Sequence, residues 1–381
     1  MREIAKKGNR CTIITSDNVY HAINGIGSYG SSTASYIPNL CVLRLKTTKY
    51  RRSKSFLRIL GWLDFELKLF IFPKTTLPRP DVIIVSSLSL LTILNGIRLK
   101  KLYRSKLIFE IRDIWPLTLT EEGGYRKSNP FIMILSLIEK YGYSKADVIV
   151  GTMPNLAEHV KHVVKTEKRV ECIPFGFDDQ TILSSPSEVI RAPFISTYIP
   201  RDKFVVCYAG SIGLTNALET LFKCAELMKQ DKDVHFIIIG DGDMKSQYKR
   251  EFGHLRNVSF LPQIEKYMLQ SVLVACDLLY FAAKNSLVWR YGQSLNKIID
   301  YMLAGRPIIG SYSGYPSMIN EADCGSFVPA ENEVALMKEI IRYKIMPKEE
   351  RDRIGKRGQN WLLKNREYQY LAEKYIEIIN G

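Results

Sequence analysis

Short runs of β-branched and aromatic residues, each separated from the next by enough chain for a helix, recur through this sequence and restrict its fold more than any other feature. CTIIT (11 to 15), DVIIVSS (81 to 87), KLIFEI (106 to 111) and ADVIVG (146 to 151) form a first set. FVVCYAGS (204 to 211), VHFIIIGDG (234 to 242), NVSFL (257 to 261), CDLLYF (276 to 281), RPIIGS (306 to 311) and GSFVP (325 to 329) form a second. Strands that alternate with helices build parallel sheets covered on both faces, so the pattern predicts an α/β protein with two doubly wound, Rossmann-like domains. A chain of 381 residues has the length for two such units. The expected division is a first domain over 1–175, a Pro- and Ser-rich connection over 176–200, a second domain over 201–348, and C-terminal helices over 349–381. Trp361, Leu362, Tyr368, Leu371, Tyr375 and Ile378 give that tail its apolar faces.

Charge separates the two halves. Residues 1–170 carry 28 Lys and Arg against 13 Asp and Glu, whereas 171–381 carry 26 of each, so the first half holds the whole net charge of +15. The excess gathers in KTTKYRRSKSFLR (46 to 58) and RLKKLYRSK (98 to 106), interleaved with Tyr, Phe and Leu. Such patches attract anionic lipid at roughly 1 kcal/mol per basic residue near the surface; a solvated basic face has the same composition. No recognition module accompanies the charge, so nucleic acid is not expected as a partner. Seven cysteines without a CxxC pair, and five histidines without ligand spacing, predict a reduced cytosolic chain with no metal site. The first residues lack a signal-peptide core, and no run approaches the ~20 apolar residues of a membrane span.

In open parallel sheets ligands bind at the carboxyl ends of strands, and three junctions in the second domain fit that position. YAGSIGLTNALETL (208 to 221) puts Gly210, Ser211 and Gly213 between a strand and a helix, where backbone amides can approach an anion. Gly240, Asp241 and Gly242 follow the next strand. A tight structural turn explains either set as well as a ligand does. The third junction is YGQSLNKIIDYMLAGRPII (291 to 309). With Ser294 as N-cap, Leu295, Ile298, Ile299, Met302 and Leu303 share one helical face, and Asn296 and Asp300 share a polar flank. A helix dipole contributes at most about 2 kcal/mol to a bound phosphate. Holding a diphosphate therefore needs cations, and Lys284, Arg290 and Lys297 are near. An ordinary surface pair between Lys297 and Asp300 fits the same spacing.

Taken in order, FVVCYAGSIG, VHFIIIGDGDM, NVSFLPQI, CDLLYF, SLNKIIDYMLAGRPII and CGSFVP resemble the nucleotide-sugar domain of family 4 glycosyltransferases, two-domain retaining enzymes of the GT-B fold. PDVIIVSSLSLL, FEIRDIWPLTL, EKYGYSKADVIVGTMPNL and ECIPFGFD resemble that family's acceptor half. The nearest likeness is to the bacterial branch that builds lipid-linked surface polysaccharides such as O-antigen and capsule with N-acetylated amino sugars. The resemblance implies two domains facing a cleft, with Asp300 on the donor ribose, Lys284, Arg290 and Lys297 near the diphosphate, and the C-terminal helices of 349–381 crossing back to the first domain. It further implies a UDP-sugar as substrate, no cofactor, and a polyprenyl-diphosphate-linked acceptor. On this reading the protein works in the cytoplasm, with its cationic half against the inner face of the plasma membrane.

The sequence also departs from the family. The widespread donor signature has a glutamate eight positions before the ribose acid, where this chain has Gly292, and the basic residue after the glycine turn gives way to the neighbourhood of Asn216. REIAKKGNRCTIIT looks like the end of a first helix and a second strand, so an upstream start or a shortened, inactive chain are both expectations. On the acceptor side, Glu110, Arg112 and Asp113 lie at a strand end. Asp113 is expected to orient or deprotonate the acceptor hydroxyl, with Arg112 contacting its phosphate or holding Asp113. An Arg/Asp pair with a purely structural role has the same sequence. His159 and His162 are expected at the surface, and Trp115, Pro116 and Trp289 either line the cleft or pack the core. The rival functions are a nucleotide-sugar epimerase or hydrolase of the same fold, and a non-catalytic partner.

Overall fold

The computed structural model describes residues 1–17, 33–34, 37–49, 56–73, 77–87, 89–178, 195 and 197–381. Most of the expected 176–200 connection, and residues 50–55 of the first basic patch, lie outside the described residues.

In the first domain β1 (Cys11–Ser16), β2 (Thr33–Ala34) and β3 (Leu40–Leu45) form one ladder, with β3 in the middle, parallel to β1 and antiparallel to β2. A second ladder runs through β4 (Val82–Ser86), β5 (Lys106–Ile111), β6 (Val148–Gly151) and β7 (Val170–Cys172), all parallel. The period of two along β5 sends Leu107, Phe109 and Ile111 to one face and Ile108 to the other. Ile93 and Ile97 of helix Thr92–Tyr103, with Leu135 and Tyr143 of helix Pro130–Lys145, cover the first face. The opposite face is covered by Ile4 and Ala5 of helix Arg2–Lys6 and by Ala372, Tyr375 and Ile378 of helix Tyr368–Asn380. The final helix is bonded there too: Lys106 donates to the Ile378 carbonyl at 2.6 Å, and the Tyr375 hydroxyl to Glu110 at 3.3 Å.

The second domain is a single parallel sheet of β8 (Phe204–Ala209), β9 (Val234–Ile239), β10 (Val258–Leu261), β11 (Leu278–Ala282), β12 (Ile308–Ser311) and β13 (Gly325–Val328). Its strand order is β10-β9-β8-β11-β12-β13. Every residue of β8, β9 and β11 is buried, as expected of parallel strands with helices on both faces. The order reverses between β8 and β11, and such a switch point is where open parallel sheets bind their ligands.

Two stretches of chain connect the domains side by side. Phe177 donates its N–H to the Arg366 carbonyl at 3.1 Å and accepts from the Tyr368 N–H at 3.0 Å. A Cβ on Gly176 would stand 2.2 Å from the Arg366 oxygen, so the two strands touch. A third connection is the turn Leu287–Tyr291 of the second domain, whose Tyr291 carbonyl accepts from the Asn155 N–H at 3.0 Å. Among the described residues no helix is long and apolar enough to cross a membrane.

Candidate functional site

The turn after β8 and the turn after β9 are built against one another. Ile212 donates its N–H to the Asp241 carbonyl at 2.8 Å and accepts from Met244 at 3.1 Å. Gly240 has φ +135°, and a Cβ there would fall 1.9 Å from the Gly210 carbonyl oxygen. No other residue fits that position, so Gly240 has a structural duty whether or not a ligand also uses it. Ser211, Asp241 and Gly242 are exposed along this rim, Gly210 and Gly213 are half-buried, and Gly213 precedes the short turn Leu214–Asn216.

Helix Asn296–Leu303 delivers Lys297 to the same turn. Its ammonium donates to the Tyr208 hydroxyl at 3.0 Å and to the Asn216 side chain, and sits 4.7 Å from the centre of the Tyr208 ring. A Cβ built on Gly210 would lie 3.5 Å from this nitrogen. Burial pulls the Lys297 ammonium down to about 8. A half-buried, largely desolvated cation whose partners are neutral hydroxyl, amide and ring groups retains a charge for an incoming anion. Asn216 thus anchors a lysine that arrives from the far side of the switch point. Lys284 is half-buried and follows β11 (Leu278–Ala282), the strand on the other side of the switch point from β8.

Several expectations change here. Ser294 does not cap the helix, which starts at Asn296 with Leu295 as its N-cap and no side-chain cap. The Ser294 hydroxyl instead accepts the N–H of Phe175 at 3.0 Å, because the strand crossing from the first domain passes there and needs an acceptor. Arg290 is exposed and pairs with Glu158 of the first domain at 3.1 Å, which directs its charge into the domain contact rather than toward Lys297. Asn296 is exposed, and Asp300 is half-buried one turn along the helix. His159 is not a surface residue: it is buried, its ring meets Glu139 at 2.7 Å, and Tyr291 packs edge-on above it at 5.0 Å. His162 is exposed. Trp289 packs edge-on against Tyr312 at 6.0 Å, and Trp115 against Trp62 at 5.5 Å.

Across the gap, β5 ends at Ile111 and presents Arg112 and Asp113. Arg112 does not hold Asp113. Its Nε donates to Glu110 at 2.8 Å, since Glu110 points back along the strand end, and its guanidinium lies 5.9 Å from the Phe175 ring. Asp113 accepts from the Thr118 hydroxyl at 3.1 Å. Though its surface is partly open to the gap, the surrounding protein desolvates the Asp113 carboxyl and raises it above the usual range, against the Thr118 bond.

Two polar groups escaped the sequence reading. Gln293 is buried, and neither atom of its amide has a partner. Glu122, after helix Leu117–Glu121, has a buried carboxylate oxygen with no partner, and Lys284 acts on its charge from beyond ion-pair distance. Their one sequence signal is position, since Gln293 leads into the donor-side helix and Glu122 follows FEIRDIWPLTL.

Two doubly wound domains that face one another across a cleft, with glycine turns at a switch point on one side and a strand-end carboxylate on the other, are the GT-B architecture. Residues 203–343 match the family model described as Glycosyl transferases group 1. Among curated proteins the chain is similar to a probable glycosyltransferase, WbjE of Pseudomonas aeruginosa, at 24% identity over 271 residues, which is 69% of this chain and 66% of that protein. The match therefore spans slightly under two thirds of the relative's length. Among solved structures, sucrose-phosphate synthase from Thermosynechococcus elongatus superposes with a TM-score of 0.73 at 17% identity, covering 100% of this chain and 90% of that one. HepE of Anabaena, solved in complex with UDP, gives a TM-score of 0.63 at 15% identity over 90% of this chain and 86% of its own.

Proposed function

We propose that the protein is a retaining glycosyltransferase that moves a sugar, an N-acetylated amino sugar, from a UDP donor to a polyprenyl-diphosphate-linked acceptor in surface-polysaccharide synthesis. The observation that carries this reading is the meeting of Lys297, Asn216 and the Gly210 turn at the switch point, with Lys284 on the other lip and Asp113 opposite. The group 1 match over the same residues and the UDP held by HepE support it.

In the proposed reaction the two lysines and the amides of Ser211 and Gly213 hold the diphosphate and take up the charge that grows on it as the sugar leaves; the Gly210 and Ile212 amides are engaged by the Ile239 and Asp241 carbonyls. Asp300 binds the ribose hydroxyls, and the unpartnered amide of Gln293 suits a polyol beside it. The acceptor oxygen bonds to the anomeric carbon on the face that UDP leaves, the bond from that carbon to the phosphate oxygen breaks, and the hydroxyl proton passes to Asp113. A carboxylate raised above its usual range by partial desolvation is a better proton acceptor than one in water.

The membrane side of the proposal rests on exposed apolar residues. Helix Phe56–Ile71 leaves Leu60, Leu63, Leu67 and Phe70 open to solvent, and helix Pro130–Lys145 leaves Ile134 and Leu137 open. Lys68, Arg98 and Lys145 are basic groups on these helices and on the Thr92–Tyr103 helix that packs against both. Apolar residues among basic ones fit the inner face of an anionic membrane.

The purified chain, incubated with a panel of UDP-sugars and membrane extract, tests this. Sugar transferred to lipid is expected. Free sugar or an epimerised nucleotide sugar would point to hydrolysis or epimerisation, and no turnover with any donor to a non-catalytic role.

A further inference from the structure

Glu122 has no part in the reaction as written. Its N–H bonds to the Thr118 carbonyl at 3.0 Å, while the Thr118 hydroxyl donates to Asp113, so one turn fixes both carboxylates. The Leu117–Glu121 helix before it packs on the Leu287–Tyr291 turn of the second domain. The charged groups that face Glu122 are Asp113 from its own domain and Lys284 from across the gap, and the Ser286 hydroxyl lies beside it. One of its oxygens is buried and lacks a partner.

We propose that donor binding is proton-coupled through Glu122: its carboxylate shares the charge of Lys284 until a nucleoside diphosphate claims that ammonium, and Glu122 then takes up a proton from solvent. This rests on the reading above that the diphosphate binds at Lys284. The electrostatics favour it. A diphosphate placed beside Asp113 and Glu122 adds like charge and draws on Lys284, the cation that acts on Glu122 among the described residues. Burial, Ser286, Asp113 and Lys284 act on the Glu122 carboxyl in that order of size, and the net result already lies above the usual range before any anion arrives. Protonation relieves one repulsion, leaves every covalent bond as it was, and converts Glu122 from an acceptor into a hydrogen-bond donor toward a phosphate oxygen. Glu122 is thus a positioning residue that acts through Lys284.

Because binding takes up a proton, UDP affinity falls as pH rises through the range in which Glu122 titrates. Titration calorimetry of UDP in buffers of different ionisation enthalpy, repeated at about pH 5 to 8, reads the proton count directly. The wild-type chain should take up a fraction of a proton, approaching about one, per UDP bound. Glu122→Gln, whose fold is checked by thermal melting, should lose that uptake and bind UDP as tightly or more tightly, with a flatter pH profile. The terminal phosphate of UDP titrates equally with both proteins, so the difference between them isolates Glu122. Equal proton counts with and without the carboxyl would overturn the proposal, and so would a tenfold or greater loss of affinity in Glu122→Gln. If UDP fails to bind at all, the donor reading falls, and that result is distinct from binding without uptake.

Discussion

Lys297 carries the sharpest residue-scale expectations. Folding lowers its pKa from 10.5 to about 8, so between those values the folded state binds fewer protons than the unfolded chain and stability rises with pH. At neutral pH the buried charge is a cost, and Lys297→Met should raise the melting temperature, by an amount equivalent to about 1–3 kcal/mol. The same variant should weaken UDP binding by about 10- to 100-fold, the worth of one charge-assisted contact. For the wild-type chain, UDP affinity should decline above about pH 8 as the ammonium empties. Arg290→Ala provides the contrast. Its partner Glu158 is at the surface, so stability should change by less than about 1 kcal/mol. UDP affinity should stay as it was; a loss comparable to that of Lys297→Met in calorimetry would restore Arg290 to the diphosphate site.

At the scale of elements, the two glycine turns stand or fall together. Gly240→Ala would press a methyl group against the Gly210 carbonyl in a backbone conformation that alanine resists, and should destabilise the second domain by more than about 2 kcal/mol in denaturant unfolding. Ser294→Ala should cost about 1 kcal/mol through the lost Phe175 bond, without lowering helix content by circular dichroism. These elements show how much was legible beforehand. Ile298, Ile299 and Met302 declared a buried helical face because that information is local, and so did the buried strands of the second sheet. What decided Ser294, Arg290 and His159 was not local. Phe175, Glu158 and Glu139 reach them from other elements, and no periodicity in 291–309 or 156–164 announces those partners. Strands β2 and β7 went unread because they are only 2 and 3 residues long; β3 is as long as β5, and its LCVLRL run was legible but passed over.

For the whole molecule, the cationic half and the open helix faces should act together on a membrane. The chain is expected to sediment with vesicles containing anionic lipid and to be released by salt, since screening weakens the basic contribution while leaving the apolar one. Leu63→Glu with Leu67→Glu on helix Phe56–Ile71 should reduce that binding while leaving UDP affinity intact, because both side chains are exposed. Equal sedimentation of the double variant would remove this helix from the membrane face. The paired connection at Gly176 and Arg366 means that the chain crosses between the halves twice at one place, with each crossing leaning on the other. The Phe177 N–H on the Arg366 carbonyl and the Tyr368 N–H on the Phe177 carbonyl tie them together, so a side chain at position 176, pressed against the Arg366 oxygen, would disturb both crossings at once.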